Sequence, residues 1–278
     1  MNVRKMAANA AAHATLLLFM LFLVFPLVWM LSTSFKPTAE IYSGAASLVP
    51  QTPSGVHYQT VLSEQKILSS MVNSLYVGIF STVIAILIAL PGAYAITRYS
   101  SKWNNVMLGW ILGSQIFPVI LVLIPLYLLL RMFYLTDSLV GLTLVYVVWD
   151  LPFVLWMLQG YVKTIPVEIE EAASIDGATR PQIIFQVLVP LLLPAIGASV
   201  LFAFVSAWNE FFFALVLMKS PDFMTLQVEL ARFTGMEGQA RTGPLAAAGV
   251  LATIPSVILF GVLQRWFSSG LVAGAVKN

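Results

Sequence analysis

The sequence predicts an all-α, polytopic membrane protein with about six transmembrane helices. The first observation is composition: 59% of the 278 residues are hydrophobic and 9% are charged. Soluble domains carry roughly 25% charged and about 45–50% apolar residues, so a shortage of charge this large cannot clothe a surface in water. The second is distribution. Apolar runs fall near 14–34, 71–97, 106–130, 139–160, 188–218 and 245–264, each long enough for the roughly 20 residues that span a bilayer. The third is periodicity. The runs are apolar all round, which favours helix, and lack the short alternating segments of a barrel.

Each run has its own reading. Arg4 and Lys5 precede an apolar stretch from Ala14 to Leu31. A cleavable leader has about 7–15 apolar residues and ends at small ones; this stretch is longer and ends Val28-Trp29-Met30-Leu31, which predicts a retained anchor. The fifth run exceeds a bilayer's thickness, so its first turns are expected in the cytoplasm or tilted. Prolines 26, 91, 118, 125, 152, 194 and 255 lie within the runs and mark expected kinks. Gly109-x-x-x-Gly113 and the Ala246–Gly249 cluster allow close helix contact. Trp29, Trp103 and Trp266 lie at run ends, where indoles anchor to the interface.

Orientation follows from Lys and Arg. With the N-terminus inside, the inner segments hold Arg4, Lys5, Arg98, Lys102, Lys163, Arg180, Arg265 and Lys277; the outer ones hold Lys36, Lys66, Arg131, Lys219, Arg232 and Arg241. Eight against six agrees in direction with the positive-inside rule. Two outer segments are long: 35–70, read as an extended loop with a short helix, and 219–244, read as a projecting loop with Gly235, Gly238 and Gly243.

One inner segment differs from the rest. Residues 164–182, between the fourth and fifth runs, hold four of the chain's 12 acids: Glu168, Glu170, Glu171 and Asp176. Pro166 suits a first helical position. The three glutamates favour the positive end of the helix dipole. Gly177 can close the helix in the left-handed conformation, and Thr179 with Gln182 forms a capping box for a second helix. The expected product is a helical hairpin with bare backbone at Ala172, Ala173, Gly177 and Ala178, suited to a partner's groove. Helices that lie on lipid favour Lys and Arg, and this one is acidic.

The order Glu171-Ala172-Ala173, three residues, Gly177, nine residues, Val187-Leu188-Val189-Pro190 resembles the EAA loop of binding-protein-dependent ABC importer permeases. That family's pattern ends Ile-x-Leu-Pro; Val stands here at both apolar positions. Asp176-Gly177-Ala178-Thr179, Ala207-Trp208-Asn209-Glu210-Phe211 and the tail Gly270–Lys277 resemble the carbohydrate, maltose-type branch. The resemblance covers nearly the whole chain. It implies one transmembrane domain, 1–278, of the type I ABC importer permease fold, with its coupling loop at about 161–187.

It also implies a transport subunit in a prokaryotic inner membrane. The partners would be a second permease, two ATPase copies and an extracytoplasmic solute-binding protein that delivers a sugar-like solute. Glu170, Glu171, Ala172, Ala173, Ile175, Asp176, Gly177 and Ala178 would dock the ATPase, the tail would reach toward it, and the 219–244 loop would meet the binding protein. No G-x-x-x-x-G-K-[ST] occurs, so ATP-Mg and its hydrolysis belong to the partner ATPase and no cofactor is expected on this chain.

Polar residues inside the runs are candidates for the translocation path. Asp150 lies mid-span, where a charge costs roughly 2.5–3.5 kcal/mol on insertion scales. No deep Lys or Arg is available to pair with it. Tyr146, Phe153 and Met157 share its face by helical spacing. A carboxylate among aromatics suits sugars; a structural hydrogen bond to a neighbouring helix is the alternative. Ser206, Asn209 and Glu210 are expected together in the outward part of the fifth helix, lining the path or packing the bundle.

Other classes fit poorly. No Lys/Arg patch suits nucleic acid. The absence of cysteine excludes thiol chemistry. His13 and His57 are too far apart in sequence for a metal cluster or an intramembrane enzyme. A secondary transporter would show an internal repeat and more buried charge.

Overall fold

The computed structural model describes residues 3–43, 47–64, 66–99, 101–234 and 241–275. In chain order the helices are α1 (Val3–Ser34), α2 (Thr38–Ile41), α3 (Val56–Glu64), α4 (Ile67–Arg98), α5 (Asn104–Gly113), α6 (Val119–Met132), α7 (Leu139–Val162), α8 (Val167–Ile175), α9 (Arg180–Gln182), α10 (Val189–Asn209), α11 (Phe212–Leu217), α12 (Leu226–Ala231) and α13 (Thr242–Ala275). A π-helical stretch, Ile183–Leu188, joins α9 to α10. No strand occurs among the described residues. Among the described residues, five helices are long and apolar enough to cross a membrane, and one bent pair makes a sixth crossing if it counts as a single span.

Two compact units form: Met1–Ile67 with Glu229–Ile254, and Leu68–Val228 with Pro255–Asn278. In the first, α1 exposes apolar side chains along Leu16–Val28 and tucks in only its last turn. There the Ser34 hydroxyl meets the Tyr58 hydroxyl at 2.9 Å, and His57 Nε2 bonds the Lys36 carbonyl at 2.8 Å. Among its described residues, the segment 35–64 thus carries two short helices rather than one, folded back on α1. The small-residue cluster does bring helices close: Ala247 and Ala248 are fully buried, and a Cβ on Gly249 would stand 2.9 Å from Met30 Sδ. Trp29 carries the Lys36 ammonium 4.7 Å above its ring.

The second unit packs α4, α7 and α10 around two apolar clusters. One runs from Ala89 and Tyr94 through Leu158 to Leu188 and Leu192; the other joins Val77, Leu142, Tyr146 and Phe213. Gly109 and Gly113 have open space where a Cβ would stand, so the close contact they allow is not made among the described residues. Gly235 and Gly238, the end of the tail and the Trp266 side chain lie outside what is described.

Two runs depart from the single helices expected of them. The run 106–130 breaks at Pro118: Val106–Ile116 and Val119–Met132 are bent by 100°. Phe117 is extended, with φ −68° and ψ 129°, as the ring of a following proline demands. The run 188–218 breaks at Glu210, which is extended at φ −68° and ψ 133°.

Candidate functional site

The hairpin after α7 is built as its residues dictate. Pro166 stands one position before the first helical residue, Val167, at φ −58° and ψ 137°. At the other end the Ala178 N–H reaches the Ala173 carbonyl at 3.0 Å, and the Gly177 N–H reaches Ser174 at 3.1 Å. This is the Schellman closure. Gly177 has φ +87°, which an L side chain adopts only with strain. Gln182 Oε1 accepts from the Thr179 N–H at 2.7 Å and the Thr179 hydroxyl at 2.8 Å, closing the predicted capping box.

The hairpin presents one face outward. Glu168, Glu171, Ala172, Asp176 and Gly177 are exposed, and Ile175 is 86% exposed. Ala173 and Ala178 face the other way, against the apolar cluster around Leu158 and Ile183.

Glu170 does not stand on the outward face. It is 3% exposed and accepts from Arg98 Nε at 2.6 Å. Arg98 Nη2 also donates to the carbonyls of Val162 at 3.2 Å and Ile165 at 2.8 Å. One guanidinium therefore satisfies carbonyls left over at the end of α7 and holds α8 by its carboxylate. Arg180 Nη1 donates to the Tyr94 hydroxyl at 3.3 Å, tying α9 to the same helix. Sequence spacing carried no sign of Arg98, because 72 residues separate it from Glu170.

Within the membrane, α7 and α10 run antiparallel, and the predicted polar residues meet along the seam. The Ser206 hydroxyl donates to Asp150 Oδ1 at 2.7 Å. The Tyr146 hydroxyl donates to Glu210 Oε2 at 2.6 Å. Phe153 stacks on Phe202 with centroids 3.9 Å apart, and Ser199 Oγ contacts Met157 Sδ at 3.2 Å. Asp150, Tyr146, Phe153 and Met157 thus share one face, as the spacing predicted.

Asp150 is 4% exposed and Tyr146 is 2% exposed. Glu210 is spent on the backbone: Oε1 accepts from the Phe213 N–H at 2.8 Å and Oε2 from Ala214 at 3.1 Å. It caps α11 across the helix break, one residue past the end of α10, and so does not lie in the outward part of a continuous fifth helix, where the sequence had placed it.

Ser206 and Asn209 differ from this group by lining an open groove of about 730 Å³ with Phe202, Val205, Ser256 and Phe260. Asn209 bonds its own helix, Nδ2 to the Val205 carbonyl at 2.8 Å. Ser256 and Phe260 of α13 were missed, since a single small hydroxyl and one more aromatic in an apolar run carry no positional signal.

The acidic hairpin on an all-helical membrane bundle defines the class. Residues 81–272 match the family of binding-protein-dependent transport system inner membrane components, and the chain belongs to it. It is the permease subunit of an ABC importer and a transport protein rather than an enzyme. An ABC transporter permease protein of Streptomyces antibioticus is 49% identical over 83% of this chain and all of that one. The diacetylchitobiose uptake system permease protein of Streptomyces coelicolor is 36% identical over 99% of each. Among solved structures, a bacterial ABC transporter that imports the acidic polysaccharide alginate matches with a TM-score of 0.81 and 25% identity, over 96% of this chain and 99% of that one.

Proposed function

We propose that this chain forms half of the translocation pathway for a saccharide and docks a separate ATPase through the outward face of α8. The observation that carries the docking is the hairpin itself. Glu171, Ala172, Ile175, Asp176 and Gly177 stand free, while Glu170, Ala173 and Ala178 bind the hairpin to its own subunit. ATP-Mg is bound and hydrolysed on that partner, with a second permease completing the pathway in an inner membrane.

The saccharide reading rests on two supports. The Streptomyces coelicolor relative serves diacetylchitobiose and the structural relative alginate. The groove beside α10 offers the aromatic faces of Phe202 and Phe260 with the polar groups of Ser206, Asn209 and Ser256. Sugars present apolar ring faces and hydroxyls, which such a mixed lining accommodates. Asp150, Tyr146 and Glu210 hold the helices that form the groove and do not face the solute.

The test is co-purification with the cognate ATPase, then uptake of labelled di- and oligosaccharides into proteoliposomes. Glu171→Arg should abolish both co-purification and uptake while membrane insertion persists. Normal co-purification of that variant would refute the docking face. Failure of every saccharide to be taken up by the intact complex would refute the substrate class.

A further inference from the structure

We propose that α4 is a connecting rod, with Arg98 and Asn73 as its two positioning residues. Through them, motion of the ATPase-docking hairpin reaches the outer segment 222–226. This rests on the docking reading of α8.

The inner end is the Arg98 junction. Arg98 is the last residue of α4 and is largely buried, its side chain 11% exposed against 4% for Glu170. Its guanidinium joins α8 through Glu170 and the end of α7 through Val162 and Ile165. A planar fork with several fixed donors resists rotation in a way that a lysine ammonium does not. A pull on α8 is therefore delivered to the last turn of α4.

The outer end is a second polar clamp on the same helix. Asn73 Nδ2 donates to the carbonyls of Asp222 at 2.8 Å and Met224 at 3.0 Å. Ser74 Oγ accepts from the Leu226 N–H at 2.8 Å. These bonds grip a non-helical segment by its backbone, just before α12. Asn73 is 9% and Ser74 3% exposed.

Between the clamps the helix is continuous, since α4 runs unbroken from Ile67 to Arg98. The 25 residue steps from Asn73 to Arg98 span about 38 Å at 1.5 Å per residue. Close packing fixes its flanks. A Cβ on Gly78 would sit 3.2 Å from the Phe204 ring, and one on Gly92 3.2 Å from Leu155. Pro91 lies inside this span and removes one backbone bond there, so it is the packed flanks that carry a displacement from one end to the other. The two clamps then turn one displacement into another at the far side of the bilayer.

Binding-protein-stimulated ATP hydrolysis tests this in the intact complex in proteoliposomes. The binding protein is loaded with whichever disaccharide of a defined panel it retains. Arg98→Lys keeps the charge and loses the fork, and Asn73→Ala lies far from the docking face. Each should retain the ATPase on co-purification and cut stimulation at least tenfold. The double variant should be no worse than the poorer single one, as expected of two joints in series. Stimulation within twofold of the wild type in either single variant overturns the rod. So do losses that multiply in the double variant, or loss of the ATPase from Arg98→Lys. Glu171→Arg is run alongside: if it keeps the ATPase bound, the docking reading fails independently of the rod.

Discussion

Asp137, Asp150, Glu170 and Glu210 are each held by named partners, and the reach of those partners decides what they do. Asp137, at φ 53°, lies between α6 and α7 and accepts from the backbone of Lys219 at 2.8 Å and Ser220 at 3.0 Å, as well as from the Ser220 hydroxyl. Partial burial pushes its carboxyl up, but the Ser220 and Lys219 hydrogen bonds outweigh this and hold it below the ordinary 3.8. A depressed folded value means that the clamp's contribution is complete above 3.8 and lost as pH falls through the lower folded value. Hydrogen exchange at Lys219 and Ser220, corrected for intrinsic rates, should therefore stay protected down to about the ordinary aspartate value and rise below it. Asp137→Asn should raise exchange already at neutral pH and remove the acid dependence. This loop was invisible in the sequence, because its partners lie 82 and 83 residues away. Asp150 was legible, because a lone mid-span acid must find a partner; its donor, Ser206, came from a residue already suspected for other reasons.

At the scale of the element, local chemistry was readable and breaks in apolar runs were not. The hairpin followed from Pro166, Gly177, Thr179 and Gln182, whose roles depend on neighbours within six residues. Gly177 gives a direct check. Its Cβ position is open, so only the +87° φ opposes a side chain there. Left-handed geometry costs an ordinary L residue about 1–2 kcal/mol, and Asn tolerates it better. Thermal unfolding in detergent should show Gly177→Val clearly destabilised and Gly177→Asn close to wild type. Equal melting of the two would mean that the turn relaxes.

The broken runs teach the opposite lesson. Eight prolines fall within the apolar runs, yet Pro26, Pro91, Pro125, Pro152, Pro194 and Pro255 lie inside helices and Pro190 in the first turn of α10. Pro118 alone of these sits at the 100° bend. Composition does not separate them, because every proline removes the same backbone donor. Glu210 breaks its run for a different reason: both carboxylate oxygens cap the next helix, which no periodicity encodes.

At the scale of the molecule, composition was enough to establish the solvent. A chain that exposes apolar residues along α1 and leaves a groove open beside α10 expects lipid and protein around it. The hydrophobic runs gave the count of crossings to within one bent pair. The placement of tertiary clamps such as Arg98 and Asn73 was out of reach, since it depends on which helix ends meet.

The π-helical stretch Ile183–Leu188 bears on that geometry. A wide turn of this kind holds one residue more than an α-helix uses for the same rise. It therefore acts as a spacer in the shaft between hairpin and membrane. Deleting Phe185, which is exposed, should let the shaft close into regular helix with both ends still aimed as before, and uptake should survive. Adding one residue at the same point should turn α10 by about 100° relative to the hairpin. Ser206 would then point away from Asp150, and uptake should cease although the hydropathy profile is unchanged. Equal tolerance of shortening and lengthening would mean that the shaft transmits no orientation at all.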